Sequence, residues 1–169
     1  LTLTNTGSLK VQNGTGYLQE VTFEFKKPAS EEEINKAQDT LGITLPSDLL
    51  EFYRISNGAY LFISDDGLDR ITINSTQDIV DRLDDFPDWA NDWIPIVSYY
   101  EHEFMMNRNA INNQKNNYLY ARDLLGKVED AMDLGRNFEI FLSRLITAQG
   151  DDYWKWPIYT AENFYRTHS

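Results

Sequence analysis

The side chains best suited to chemistry in this chain are carboxylates, and they have few partners to work with. Glu101-His102-Glu103 could offer a metal two carboxylates and an imidazole. In a strand, however, Glu101 and Glu103 share one face while His102 takes the other, and the second histidine, His168, lies far along the chain. Asp65-Asp66, Asp84-Asp85 and Asp151-Asp152 are pairs of neighbours, which seldom converge on one bond as the carboxylates of a glycosidase do from separate elements. Asp65, Asp66 and Asp69 lack the ligand spacing and closing glutamate of a calcium loop. No nucleophile elbow, phosphate-cradling loop or dinucleotide fingerprint occurs. With Cys 0, thiolate nucleophiles, cysteine-zinc sites and disulfides are excluded together, which fits a reducing cytosol. The expectation is a protein that is not an enzyme, with no catalytic residues, no metal site and no cofactor.

A distributed pattern carries more information. From Asp65 to Glu101 the chain places ten acidic residues against Arg70 and Arg82, within a net charge of −12, and Trp89, Trp93, Tyr99 and Tyr100 are interleaved with them. Aromatic side chains provide contact area at low entropic cost, while carboxylates steer a basic partner and set its register. The residues expected to face a partner are Asp65, Asp66, Asp69, Asp84, Asp85, Asp88, Trp89, Trp93, Tyr99, Tyr100, Glu101 and Glu103. Such a surface repels a nucleic-acid backbone. No apolar run reaches the length of a transmembrane helix, and Leu1 to Lys27 alternates instead of forming a signal-peptide core. A protein partner in the cytoplasm is therefore expected, with neither nucleic acid nor membrane.

The elements that must hold these residues are legible from local chemistry. Ser30 and Glu33 form a capping box, Ile34, Ala37 and Leu41 give the inner face of a helix, and Gly42 ends it. Leu45-Pro46 presets a second helix facing inward through Leu49, Leu50, Phe52 and Tyr53, which Asn57-Gly58 closes. Upstream, an Asn13-Gly14 turn and the alternation of Val21, Phe23 and Phe25 predict a hairpin over residues 1–27. Downstream, Ala59 to Ile63 and Arg70 to Ile73 read as strands around a turn, and Ser75 and Asp78 open a short helix that Phe86-Pro87 must end. Trp93 to Val97, Phe104 to Asn107, Tyr118 to Ala121 and Val128 to Leu134 are further strands, with a polar loop over residues 112–117. Phe138, Phe141, Leu142, Leu145 and Ile146 recur at helical spacing. Residues 150–169, with Tyr153, Trp154, Trp156, Tyr159, Phe164 and Tyr165, are too aromatic for a disordered tail and should pack back on the domain. The expected fold is α+β, a largely antiparallel sheet with helices packed on one side, as a single domain of 169 residues.

The series from Glu32-Glu33-Ile34 through Leu41-Gly42-Ile43, Leu45-Pro46, Asp48, Phe52-Tyr53 and Asn57-Gly58 resembles the opening of the SUKH superfamily, which includes cell-wall (glucan) synthesis regulators and bacterial immunity proteins. Trp93-Ile94-Pro95-Ile96-Val97 resembles that family's central strand, and Asn137 to Leu142 its closing helix, so the resemblance covers about residues 30–146. Ser98 to Glu103 departs from the Gly/Asp-rich turn usual there, and residues 1–27 have no counterpart. The resemblance implies a binding module that neutralises a toxin, many such toxins being nucleases with basic faces. Its alternative implication is a regulatory scaffold that binds a peptide or glycan.

Overall fold

In the computed structural model, residues 2–3, 8–12, 16–67, 69–85 and 91–155 are described. Ser30 begins the first helix as expected: its hydroxyl accepts from the Glu33 N–H at 3.2 Å, and the Glu33 carboxylate accepts from the Ser30 N–H at 2.7 Å. Helix α1 (Glu31–Leu41) buries Ile34, Ala37 and Leu41 and stops at Gly42, whose φ of 66° is the left-handed cap that disfavours a side chain. The Gln38 side chain then accepts from the Leu45 N–H at 3.0 Å and steadies the elbow into α2 (Ser47–Ile55).

Asn57-Gly58 does more than end α2. The Asn57 side chain accepts from the Thr76 N–H at 2.8 Å, so it caps α3 (Thr76–Asp85) from a distance. Gly58, at φ 94°, brings its backbone so close to β5 (Ile71–Ile73) that a Cβ would stand 2.9 Å from the Ile73 carbonyl oxygen and 3.0 Å from the Ser75 nitrogen. Ser75 and Asp78 complete the junction: the hydroxyl accepts from the Asp78 N–H at 3.1 Å, the carboxylate from the Ser75 N–H at 2.9 Å, and Lys26 pairs with Asp78 at 3.1 Å.

From this junction an antiparallel sheet is laid down in chain order. Among the described residues it has nine strands, each paired with the next in sequence. They are β1 (Thr2–Leu3), β2 (Leu9–Gln12), β3 (Leu18–Phe25), β4 (Ala59–Ser64), β5, β6 (Trp93–Tyr99), β7 (His102–Asn107), β8 (Leu119–Asp123) and β9 (Met132–Asp133). The prefixed hairpin is thus continuous with the main sheet, Thr22 of β3 pairing with Ile63 of β4. The core lies on the face carrying Leu61, Ile71, Ile73, Phe104 and Met106, against Tyr53 of α2 and Phe138 and Phe141 of α5 (Phe138–Thr147). Phe104 meets Phe141 at 4.7 Å between ring centroids, and Phe52 meets Phe138 at 5.3 Å. The α+β, largely antiparallel, single-domain expectation holds.

Local differences have local causes. The strand expected over Val128 to Leu134 is instead a 3-10 turn (Val128–Asp130) followed by the two residues of β9. A short helix α4 (Arg108–Asn112), absent from the sequence reading, precedes the polar loop. It is nucleated by the Asn107 side chain, which accepts from the Ala110 N–H at 2.8 Å, and held by Arg108, whose guanidinium donates to the Leu41 carbonyl. The Asn13-Gly14 turn, Phe86-Pro87, Trp156, Tyr159, Phe164 and Tyr165 lie outside the described residues.

Two outcomes are expected of the junction. Gly58→Ala should lower the unfolding free energy by about 2–3 kcal/mol in a denaturant titration, because the added methyl meets backbone and φ stays positive. Burial pushes the Asp78 carboxyl up, but hydrogen bonds from Ser75 and the Lys26 ammonium outweigh it and hold the group below its ordinary value. A depressed folded-state value means stability that is present above the ordinary carboxylate range and is lost as pH falls through the folded value. The stability difference between wild type and Asp78→Asn should therefore shrink as pH is lowered from about 6 toward 3.

Candidate functional site

In an antiparallel meander the turns collect at the two ends of the sheet, and one end gathers four of the eight predicted carboxylates, Asp65, Asp66, Asp69 and Glu101. The β4–β5 turn carries Asp65, Asp66 and Asp69, and is tied by Ser64, whose N–H donates to the Asp69 carbonyl at 2.9 Å and whose hydroxyl donates to Asp66 at 2.6 Å. The β6–β7 turn presents Tyr100 and Glu101 between the paired residues Tyr99 and His102. Tyr100 sits at φ 48°, a conformation that costs a bulky residue steric strain, and is 60% exposed. The turn after β8 closes against it: the Leu124 N–H donates to the Glu101 carbonyl at 2.7 Å, Asp123 pairs across the strands with His102, and Leu125 is 90% exposed.

The segment after α5 completes this end. Trp154 packs edge-on against Phe104 at 4.7 Å, His102 at 5.8 Å and Tyr99 at 6.1 Å, which fixes Asp151 and Asp152 beside the Tyr99–Tyr100 turn. Asp152 pairs with Lys155 at 2.8 Å and lies 4.0 Å from the His102 imidazole. The tyrosines register the charge around them. Burial, then the hydrogen bond to and charge of Asp69, then Asp66 and Asp152, push the Tyr100 hydroxyl up to about 12. Tyr99 is also raised, first by burial and then by Asp152, Tyr100, Asp151 and Asp69.

The other predicted site residues lie elsewhere. Trp93 begins β6, about 20 Å from Tyr99 at the usual strand rise, and its ring rests on Tyr120 at 4.9 Å. Asp84 and Asp85 occupy the last turn of α3, and Asp88 and Trp89 fall outside the described residues. Glu103 requires a correction. β7 begins at His102, so Glu101 is part of the turn and Glu103 points to the sheet face opposite Phe104, where it is 0% exposed and paired with Arg82 of α3. It stands in a polar row across the strands, Tyr60–Thr72–Ser98–Glu103–Arg122, with each neighbour a register partner of the last. Its charge anchors α3 and is not offered to a partner.

Asp123, Leu124, Leu125, Asp151 and Asp152 belong to the site although the sequence window ended at Glu103. Their contribution depends on the β7–β8 register and on the docking of Trp154, which no local pattern announces. A cavity of about 670 Å³ at the N-termini of α2 and α5 is a poorer candidate. The Asp48 carboxylate lining it is already engaged by the Tyr118 hydroxyl at 2.8 Å and the Glu139 N–H at 3.1 Å, so it serves to cap α5. Among the described residues no group of three His, Asp or Glu side chains is arranged to hold a metal ion, and no helix is long and apolar enough to cross a membrane.

Comparison with known proteins bears on the frame. The SMI1 / KNR4 family (SUKH-1) matches residues 28–144, from the joint before α1 to the middle of α5. The chain belongs to that family. Two Bacillus subtilis (strain 168) proteins, both described as uncharacterized, are similar to it. YnaB is 32% identical over 140 residues, covering 82% of this chain and 90% of its own. YobM is 33% identical over 171 aligned positions, covering 95% of this chain and 89% of its own. In this SMI1 / KNR4 member the framework residues Ser30, Gly42, Pro46, Asn57 and Gly58 act through caps and close approaches, and the acidic end stands apart from them.

Burial separates the two glutamates. Glu103→Gln should cost about 2–3 kcal/mol by leaving Arg82 against a neutral amide, whereas Glu101→Gln in the exposed turn should change stability by less than about 0.5 kcal/mol. Parallel thermal or chemical unfolding of the two variants reads this directly.

Proposed function

We propose that this SMI1 / KNR4 member is a non-enzymatic, cytoplasmic protein-binding module of the immunity type, which neutralises a basic, nuclease-type toxin by occupying its surface. One observation carries the reading. Asp65, Asp66, Asp69, Glu101, Asp123, Asp151 and Asp152, from four separate stretches of chain, converge at one end of the sheet around the exposed Tyr100, Leu124 and Leu125. An apolar centre with a charged rim is the anatomy of a steered interface, in which the rim raises the encounter rate and the centre slows dissociation. A net charge of −12 extends the same sign over the whole molecule and complements a surface evolved to hold phosphates. The exposed aromatic and leucine side chains need a partner of matching apolar contour, which favours protein over a simple ion.

The test uses a basic, nuclease-type toxin domain, which this reading expects to be encoded beside the gene. Its association rate with the full chain should fall on the order of tenfold between low and roughly physiological salt, because screening shortens the reach of the carboxylates to about 8 Å. Tyr100→Ala and Leu125→Ala should instead accelerate dissociation and leave the salt dependence unchanged. An association rate indifferent to salt would sink the electrostatic reading. Recovery of wall-synthesis enzymes or several signalling proteins with the native protein, in place of one basic domain, would favour the regulatory scaffold.

A further inference from the structure

Beside Tyr100 the acidic end contains a cavity of about 150 Å³ with a composition of its own. Phe62, Asp69, Tyr99, Tyr100, Gln149 and Asp151 are among its lining residues. We propose that this cavity is a receptor for a single basic side chain, an arginine or lysine presented by the protein partner, with Asp69 and Asp151 facing the cation and the Phe62, Tyr99 and Tyr100 rings enclosing its aliphatic stem. The proposal rests on the protein-binding reading and adds the chemistry of the partner's central contact.

Two features favour that occupant, and the backbone shapes the cavity that would hold it. A volume of about 150 Å³ suits one extended side chain and is too roomy for a bare ion. Its charged lining residues are both carboxylates, of which Asp69 accepts from the Tyr100 hydroxyl with its other lone pairs left for a cation, and rings stand beside them, the combination that holds a guanidinium or ammonium through ion pairing and cation–π attraction. Positive φ recurs along its lining. Among the described residues four non-glycine positions have positive φ, and three of them line this cavity: Phe62 at 53°, Tyr100 at 48° and Gln149 at 58°. Gly150 beside them, at φ 86°, lies so close to the Phe62 ring that a Cβ would stand 2.7 Å from it. Tyr100 opens a two-residue hairpin turn and Gln149 is the left-handed cap of α5, so each takes its positive φ from its own turn, and Phe62 alone departs from the geometry of its element. At Phe62 the departure from strand geometry places two successive residues, Leu61 and Phe62, on the buried side, and so brings the ring to the cavity wall.

Nα-acetyl-arginine amide and its neutral isostere Nα-acetyl-citrulline amide provide the test, titrated into the isotopically labelled full chain and followed by amide chemical shifts. The arginine derivative should give saturating shifts at Phe62, Asp69, Tyr99, Tyr100 and Gly150. The isosteric double variant Asp69→Asn, Asp151→Asn should weaken this binding by at least about fivefold with its spectrum otherwise intact. Equal shifts from the citrulline derivative, or arginine shifts spread over the remote carboxylates Asp39 and Asp133 as much as over the cavity, would overturn the proposal. If the arginine derivative fails at the cavity while toxin association stays salt-dependent, the receptor falls and the protein-binding reading stands. If it binds while toxin association ignores salt, the cavity retains its ligand class and the electrostatic reading falls.

Discussion

The contact on which the rest of the molecule depends is the approach of Gly58 to the backbone between Ile73 and Ser75. It joins four elements at one point: α2 ends there, β4 starts, β5 ends and α3 starts under the Asn57 and Ser75–Asp78 caps. Fixing that point also fixes the pairing of Ala59 with Ile73. Since β4 and β5 are rigid and short, the register at one end determines where the Asp65–Asp69 turn emerges at the other. A glycine with no chemistry of its own thereby positions carboxylates at the far end of the strand. The adjoining β6–β7 pair inherits the same frame through the pairing of Ile73 with Val97 and of Val97 with Phe104.

What the sequence disclosed about this arrangement follows the range of the interactions involved. Ser30, Gly42 and the Leu45-Pro46 elbow were legible because a cap or a proline acts within four residues of itself. Glu103 misled for a related reason: two-residue alternation correctly paired the outward direction of Glu101 and Glu103 for a continuous strand, but the chain turns through Tyr100 and β7 begins only at His102. Whether the shared face was wet or dry was decided by Arg82, more than 20 residues upstream. Trp93 and Tyr100 lie close in sequence and at opposite ends of β6. Asp151 and Asp152 looked like an ordinary acidic pair until Trp154, packing on Phe104, carried them to the β6–β7 turn. Long-range docking of this kind has no periodicity to read.

Electrostatics divides the acidic residues into two populations with different work. Glu103 is removed from water and compensated by Arg82, and Asp78 is shared between Ser75 and Lys26, so these charges hold elements in place. Those around Tyr100 stand mostly in solvent, where attraction between like groups is impossible and mutual repulsion opposes the compact state. Beyond local ties such as Ser64 to Asp66 and Lys155 to Asp152, their clustering opposes the fold. A sheet end could be capped as well by mixed charges, which would relieve that repulsion and improve solubility equally.

Backbone geometry shapes the cavity beside these carboxylates. Tyr100 takes its positive φ from the two-residue β6–β7 hairpin and Gln149 from the left-handed cap of α5, while Phe62 departs from strand geometry within β4. What they share is one cavity, whose lining extends to Gln19 before the family-matched region and to Gln149, Gly150 and Asp151 after it. The matched region, residues 28–144, supplies the caps, the elbow and the sheet. The concavity is closed by segments on either side of it. The residues that fix the register and those that complete the cavity are thus largely different ones, so the lining can vary without disturbing the caps and close approaches that hold the frame.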